Sequence, residues 1–286
     1  MINNNKGLFA IHAAALMFGL TALFSKLISL SAIEISMLRS FIAFFVIAII
    51  FFWHKASIKL INQRDYMVAL IMGVLLALHW VTYFHAMQIS SIAVGVIALY
   101  TFPVITVFLE PLFHGGKPHL KDIVSAMIVL FGVYLMVPEF SLNNQTTQGI
   151  LWGVFSALLF ALRNIVQGRY FKLYSARHSL FYQTIVTFLI LLPFCFEVVP
   201  DVSTFQWGQL VVLGIFFTAL PHTLFAFSLI ELKAKTVSLI ACTQVVYATV
   251  FAAFILLEWP ELSTLLGGSI VVTVAMYESY TNGRKG

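Results

Sequence analysis

Long stretches without a charged side chain limit what this chain can fold into. A membrane-spanning helix needs about 20 predominantly apolar residues. The stretch 66–109 is long enough for two spans, and Gln88-Ile89-Ser90-Ser91 forms a polar break within it. The stretches free of Lys, Arg, Asp and Glu are 7–25, 40–54, 66–109, 123–138, 140–162, 178–196, 202–230, 236–257 and 262–277. The predicted spans are 8–28, 34–53, 67–87, 91–112, 121–138, 149–169, 178–198, 207–228, 236–257 and 262–280.

Composition excludes the main soluble classes. Only 9% of the 286 residues are charged and 61% are hydrophobic, whereas a soluble domain has about 25% charged residues. So few charges cannot cover a water-facing surface, which excludes a soluble enzyme, a nucleic-acid-binding domain and a disordered chain. The continuous apolar runs differ from the alternating segments of a membrane β-barrel. We therefore predict an all-α polytopic membrane protein with ten transmembrane helices.

Basic residues predict the orientation of these helices, because Lys and Arg concentrate in cytoplasmic loops. With both termini placed in the cytoplasm, 13 of the 16 basic residues fall in cytoplasmic segments and none falls in an external connection. The other three, Lys26, Arg39 and Arg163, fall within spans. The cytoplasmic set comprises Lys6, Lys55, Lys59, Arg64, Lys117, Lys121, Arg169, Lys172, Arg177, Lys233, Lys235, Arg284 and Lys285, and acidic residues of the external connections include Glu139, Glu197, Asp201, Glu258 and Glu261.

The two halves of the chain register on one another when the sequence is shifted by 142 residues. This shift places Gly7 on Gly149 and Thr101 on Thr243, and it superposes five predicted spans on the other five. Because five is odd, the second half enters the membrane from the opposite side. The sequence thus predicts two inverted five-helix repeats, 1–142 and 143–286. Inverted repeats are typical of transporters that bind substrate near the bilayer midplane.

Several segments together resemble the EamA-type members of the drug/metabolite transporter superfamily. They are Gly19 through Lys26, Arg39 early in the second helix, the fourth-helix segment 98–104 ending in Pro103-Val104, Leu256-Leu257-Glu258 in place of a Leu-Gly-Glu, and Gly267-Gly268. In the ninth helix, Gln244-Val245-Val246 stands where Glu-Pro-Val is typical. The resemblance implies export, or sometimes uptake, of small metabolites such as amino acids, amines, nucleosides or drugs.

Charged residues inside spans are costly and mark candidate sites. Lys26 and Arg39 lie near the predicted external ends of their helices. Either they extend to water there, or they form an external mouth of the pathway together with Glu34 and steer anionic groups of the substrate. Arg163 lies about 8 Å from the predicted cytoplasmic end of helix six. Either it extends to water or, with Asn164 and Gln167 beside it, it binds a substrate carboxylate on the inner side of the cavity.

Two histidines are the titratable candidates at membrane depth, His79 and His222, which are nearly equivalent under the repeat. Each could be a neutral hydrogen-bonding residue or could change charge near neutral pH, so proton coupling stays open. No span has a carboxylate at its centre, and the sequence has no HExxH motif, phosphate-binding loop or catalytic cluster. We therefore expect no metal, no cofactor and no enzymatic activity.

An aromatic stripe in the third helix either packs helices or lines a cavity. It includes His79, Trp80, Tyr83 and Met87 at helical spacing. Pro103 frees a carbonyl within helix four, which a membrane protein tolerates where a cavity or neighbour satisfies it. The predicted substrate-binding residues are His79, Trp80, Tyr83, Tyr100, Thr101, Pro103, Arg163, Asn164, His222, Thr243, Gln244 and Tyr247.

These features predict a secondary transporter of the inner membrane that exports a small metabolite, an amino acid or a related compound, by alternating access. A broad drug or cation exporter and a non-transporting scaffold are the alternatives. The expected partners are the metabolite and membrane lipid, without nucleic acid. Small residues in helices five and ten, from Ser125 to Gly132 and at Gly267-Gly268, predict close helix packing or a homodimer contact.

Overall fold

The computed structural model describes residues 4–114, 120–139, 141–195, 201–232 and 234–282, and these contain helices but no β-strand. Lys117, Glu197, Lys233, Arg284 and Lys285, which entered the orientation argument, lie outside the described residues. The α-helices are α1 Asn4–Leu27, α2 Ala32–Trp53, α3 Gln63–Ile89, α4 Ile92–Leu99, α5 Phe102–His114, α6 Leu120–Met136, α7 Gln145–Tyr170, α8 Ala176–Leu191, α9 Thr204–Gly214, α10 Leu220–Glu231, α11 Ala234–Ala241, α12 Thr243–Ile255 and α13 Leu262–Asn282.

Six helical segments in the described part of the chain are long and apolar enough to cross a membrane. Two shorter apolar segments, Leu239–Ile255 and Leu262–Glu278, accompany them. The all-α, multi-span prediction is therefore confirmed for the described residues. The six long segments are Asn5–Leu27, Ala32–Trp53, Gln63–Ile89, Ile92–Phe113, Gln145–Tyr170 and Thr204–Leu229.

Among the described residues, three of the predicted spans are interrupted in their interior, and a fourth, 178–198, passes into a 3₁₀ turn at Leu192–Phe194. Span 91–112 is interrupted by a turn at Tyr100 and Thr101, between α4 and α5. Span 236–257 is interrupted at Cys242, between α11 and α12. Span 207–228 contains one turn of π-helix, Ile215–Ala219, between α9 and α10.

Pro221 explains why the π turn persists. The proline has no N–H, so the carbonyl of Phe217, four residues earlier, loses its helical donor. The hydroxyl of Thr21 on α1 lies 2.9 Å from that carbonyl and can donate to it. A polar side chain of the first half therefore supports the irregular helix of the second half.

The helices pack mainly across the two halves of the sequence. α3 packs along α7, α1 packs against α10 and α12, α2 against α8, and α6 against α13. A side-chain carbon added at Gly267 of α13 would lie 2.3 Å from the Gly132 carbonyl oxygen on α6. The predicted close packing at these glycines thus occurs within the chain.

Hydrogen bonds join the loop between α2 and α3 to the loop between α7 and α8, one from each half of the chain. The Tyr174 hydroxyl donates to Asp65 and accepts from the backbone N–H of Ile61. Burial, together with the bond to Asp65, raises the pKa of Tyr174 above its ordinary value. The Tyr182 hydroxyl donates to the Ile58 carbonyl at 2.7 Å in the same loop. These bonds fix the loop between α2 and α3 against α8.

Candidate functional site

Two helix breaks lie 142 residues apart and are built alike. The Thr101 hydroxyl donates to the Ala98 carbonyl at 2.8 Å, and the Thr243 hydroxyl donates to the Ile240 carbonyl at 2.6 Å. Pro103 explains the first break, because it removes the amide that would bond the Leu99 carbonyl. Each break leaves backbone carbonyls without their regular helical donors.

Tyr100 connects the two breaks. Its hydroxyl donates to the Ala241 carbonyl at 2.7 Å and lies 3.2 Å from Oε1 of Gln244. That carbonyl is available because the Val245 N–H bonds instead to Cys242. Tyr100, Thr101, Thr243 and Gln244 of the predicted site therefore meet where the broken helices approach each other.

Arg39 lies in the interior of the bundle. It neither extends to water nor lines an external mouth, which were the two predicted alternatives. It is the eighth residue of α2, about 10 Å along the helix from its start, and it is only 2% exposed. Its guanidinium carbon lies 3.7 Å from the centre of the Trp80 ring and 5.1 Å from that of Phe84. Among the described residues, neither Nε nor Nη1 has a hydrogen-bond partner. Arg39 was not among the predicted substrate-binding residues.

Tyr83 is a second buried donor beside Arg39. Trp80 and Tyr83 lie three residues apart on α3 and so share one face of that helix. The Tyr83 hydroxyl interacts electrostatically with Arg39 and approaches the Gln244 side chain. No group in the described part of the chain completes a hydrogen bond to this hydroxyl. Donors from α2 and α3 thus converge near α12.

Both predicted histidines lie in this region and are held by hydrogen bonds. Nδ1 of His79 lies 2.7 Å from the Ser156 hydroxyl, which itself donates to the His79 carbonyl. Nδ1 of His222 lies 2.7 Å from the Thr218 carbonyl. Since both acceptors require a donor, each imidazole carries its proton on Nδ1. The centres of the His222 and Trp80 rings lie 6.5 Å apart, in an edge-on arrangement.

Arg163 differs from Arg39 because its donors are in use. Nε donates to Gln183 Oε1 at 2.7 Å, and Nη1 donates to Asn164 Oδ1 at 2.9 Å. Gln183 is completely buried and donates in turn to Ser179. Arg163 also lies within electrostatic range of His79 and His222. The structure thus places Arg163 and Asn164 near the histidines, in a polar network of their own.

Two predicted residues have less polar surroundings. Pro103 is buried within the first turn of α5. Tyr247 of α12 packs against Gly19 of α1, where an added side-chain carbon would lie 2.8 Å from the Tyr247 side chain. These positions define the shape of the central region, and neither adds a recorded polar contact to it.

Metal-binding geometry is missing from the described ranges. No group of three His, Cys, Asp or Glu side chains there could hold a metal ion. Cys195 and Cys242 are both buried and free. In the described part of the chain, the central histidines and arginines contact aromatic rings, hydroxyls, side-chain amides and backbone carbonyls, and none of these contacts involves a carboxylate.

The family of the chain follows from its sequence match over both halves. A family model described as the EamA-like transporter family matches residues 5–137 and again residues 147–277. The chain belongs to the EamA-like transporter family. It is accordingly a multi-pass membrane protein of a transporter family, which confirms the predicted family.

Curated relatives of this EamA-like chain are transporters. An uncharacterized transporter YxxF of Bacillus subtilis is 28% identical over 72% of this chain and 67% of its own length. An S-adenosylmethionine uptake transporter of Rickettsia felis is 24% identical over 88% of this chain and 84% of its own. The pseudopaline exporter CntI of Pseudomonas aeruginosa is 25% identical over 88% of both. A solved crystal structure shares the fold at a TM-score of 0.65, with 15% identity and 98% coverage of both chains.

The break in the second half forms without a proline. Val245 lies 142 residues after Pro103, at the position that corresponds to this proline of the first half. Its N–H bonds to Cys242 at 3.2 Å instead of to Ala241, so the interruption persists without a proline. The Tyr100 hydroxyl supplies the missing donor to the Ala241 carbonyl.

The turn after α12 forms a contact between the halves at the predicted external end. Leu257 in this turn adopts a positive φ of 58°. The turn presents Glu258, which lies 3.4 Å from Lys26 Nζ and accepts from the Ile92 N–H at 3.1 Å. Lys26 also donates to the Ser90 carbonyl at 3.0 Å. The expected grouping of Lys26 and Arg39 with Glu34 is wrong, since Arg39 is only 2% exposed in the interior and Lys26 pairs with Glu258. The Glu34 carboxylate accepts from the Ser31 N–H at the start of its own helix.

Sequence reasoning missed Arg39, Gln183 and Ser156 as members of the central network. Arg39 and Gln183 each lie seven residues after the first residue of an apolar helix. At 1.5 Å per residue this places them about 10 Å inside, a depth that could have signalled an interior position. Ser156 has no comparable signal, because a single serine in an apolar helix is common.

Proposed function

We propose that this protein is a secondary transporter that moves a small carboxylate-bearing metabolite, an amino acid or a related compound, outward across the inner membrane. Two inverted five-helix halves, residues 1–142 and 143–286, would give alternating access to a central site, with ten spans and both termini in the cytoplasm. In this arrangement α4 with α5, α9 with α10, and α11 with α12 each form one interrupted span.

The pair of broken helices carries this proposal. Discontinuous helices at matching positions of two halves are typical of substrate sites in transporters with inverted repeats. Here the breaks at Tyr100–Thr101 and at Cys242 are bridged by the bond from Tyr100 to Ala241. Of the predicted substrate-binding residues, Gln244 lies 3.2 Å from the Tyr100 hydroxyl at this bridge, and Tyr83 of α3 approaches Gln244.

Reciprocal contacts support the inverted repeat. Gly7 packs against Leu232, and Gly149 packs against Ser90. Adding 142 to 7 gives 149, and adding 142 to 90 gives 232. The same contact therefore occurs twice with the halves exchanged, as a two-fold relation between them requires.

The Lys26–Glu258 pair supports a closed state at the predicted external end. It joins α1 to the turn after α12, and both side chains are 25% exposed. An outward opening that separates these elements would have to break the ion pair and the cap on Ile92. Rocking of one half against the other would then expose the centre to the outside.

The electrostatics favour an anionic group in the substrate. Arg39 and Arg163 approach the centre, and the recorded contacts of these two side chains involve no carboxylate of the described residues. That arrangement disfavours a broad cation exporter. The relatives named for S-adenosylmethionine uptake and for pseudopaline export show that related proteins operate in both directions, so direction must be measured.

The test is flux of a labelled amino-acid panel in proteoliposomes of known orientation, with and without a pH gradient. We expect at least one amino acid to move faster than in protein-free liposomes. Thr243→Trp should abolish that flux by filling the centre, while Leu173→Trp, at an exposed loop position, should not. Normal flux in a folded Thr243→Trp variant would contradict the proposed pathway, and a response to the gradient would indicate proton coupling.

A further inference from the structure

We propose that Arg39 and Tyr83 bind the carboxylate of an organic anion at the centre of the bundle. This deepens the proposed function and rests on it, since the anion would be the substrate. It assigns the carboxylate-binding role to Arg39, a residue outside the predicted set, in preference to Arg163.

Unused donors point to a missing acceptor. Arg39 is 2% exposed, and Nε and Nη1, which have no partner among the described residues, carry three N–H groups between them. Buried donors of this kind are normally paired, because leaving them unbonded costs free energy. A carboxylate supplies strong acceptors for a guanidinium.

Tyr83 adds a donor from a different helix. Its buried hydroxyl completes no hydrogen bond within the described ranges, although the Gln244 side chain approaches it, and it interacts electrostatically with Arg39. A hydroxyl can donate to the second oxygen of a carboxylate held by the guanidinium. Arg39 on α2 and Tyr83 on α3 thus place two unpaired donors close to each other. Together they define a site for an acceptor.

Charge balance requires the acceptor to be an anion. The guanidinium stacks on Trp80 and Phe84, and this cation–π contact compensates only part of the cost of removing it from water. The groups recorded near Arg39 in the described part of the chain include no carboxylate. A bound carboxylate would provide the counter-charge.

Arg163 differs from Arg39 because two of its nitrogens already have acceptors. Gln183 and Asn164 already accept from two of its nitrogens. A carboxylate there would have to displace those amides, whereas at Arg39 it would occupy donors that are free. The structure therefore distinguishes Arg39, which is buried with unused donors, from Arg163, which is partly exposed and whose donors are in use.

The probes are sodium benzoate and its neutral isostere benzamide, at constant chloride. Binding to the full-length protein in an uncharged detergent is followed by the thermal midpoint and by tryptophan fluorescence, with Trp80→Phe assigning the signal. We expect benzoate, and not benzamide, to raise the midpoint. Arg39→Gln should weaken benzoate binding by at least about tenfold, since a hydrogen bond to a charged group is lost. Tyr83→Phe should weaken it by about threefold to tenfold.

Arg64→Gln is the matched control, because Arg64 also lies over an aromatic ring, that of Tyr170 at 5.5 Å, but is exposed outside the centre. It should leave benzoate binding unchanged. Equal effects of benzoate and benzamide, or unchanged benzoate affinity in folded Arg39→Gln, would overturn the proposal. If Arg39→Gln does not fold, unchanged affinity in Tyr83→Phe would overturn it instead.

Binding and transport can fail separately in these experiments. Arg39-dependent binding of benzoate without flux of any amino acid would leave the anion site standing and contradict the amino-acid proposal. Amino-acid flux that is insensitive to Arg39→Gln would leave the amino-acid proposal standing and contradict the anion site. Replacing part of the sodium chloride by uncharged sucrose would reveal whether an inorganic anion competes for the same donors.

Discussion

At the scale of single residues, Arg39 is the most informative side chain in the molecule. A guanidinium removed from water, stacked on Trp80 and left with unbonded nitrogens is costly unless something compensates it. The sequence located this arginine within an apolar span, but it could not locate Trp80 beside it. That contact depends on how α2 and α3 pack, which no local pattern encodes.

Leu257 provides a stability prediction at the same scale. A non-glycine residue at φ 58° pays a steric cost of about 1–2 kcal/mol, which glycine does not. Leu257→Gly should therefore stabilise the protein by about 0.5–1 kcal/mol after allowing for the greater freedom of glycine when unfolded. Thermal unfolding in detergent measures this shift. Leu256→Gly, at φ −103°, should destabilise, and equal effects of the two changes would contradict the explanation.

At the scale of helices, the break in the second half shows where sequence reasoning is incomplete. Pro103 predicted a freed carbonyl in the fourth span, and the break between α4 and α5 lies immediately before it. No proline marks the corresponding break at Cys242. The Tyr100 hydroxyl from the other half helps to stabilise it, and such a long-range bond cannot be predicted from a local pattern.

The contact between α6 and α13 was predictable, because small residues permit close approach of helices. Gly267→Ala would place a carbon 2.3 Å from the Gly132 carbonyl oxygen, so we expect destabilisation of about 1–3 kcal/mol. The control is Gly208→Ala, where no other atom lies within 4 Å of the added carbon. Thermal unfolding should separate the two variants, and similar midpoints would contradict tight packing at this contact.

The Lys26–Glu258 pair also belongs to the scale of helices, since it joins α1, α4 and the turn after α12. Glu258→Gln keeps an acceptor for the Ile92 N–H but removes the charge, whereas Glu258→Ala removes both. We expect Glu258→Ala to lose about 1–3 kcal/mol and Glu258→Gln to lose less. Equal losses, measured by thermal unfolding, would show that the cap on Ile92 contributes nothing.

At the scale of the whole molecule, the all-α membrane architecture followed from charge-free stretches, because hydrocarbon requires every backbone group to be bonded internally. The placement of the predicted site near the helix breaks followed less directly, from polar residues at membrane depth. Arg39 and Gln183 were missed because their surroundings come from neighbouring helices of the same half, α3 for Arg39 and α7 for Gln183, and no local pattern encodes that packing.

Alternating access is the central claim, and side-specific labelling of position 243 tests it without knowledge of the substrate. Thr243→Cys in a background of Cys195→Ala and Cys242→Ala would be treated with a membrane-impermeant thiol reagent, in intact cells and in inside-out vesicles. The account predicts reaction from both faces, and faster reaction from the external face when Lys26→Ala removes the ion pair with Glu258. Reaction from only one face, unchanged by Lys26→Ala, would contradict it.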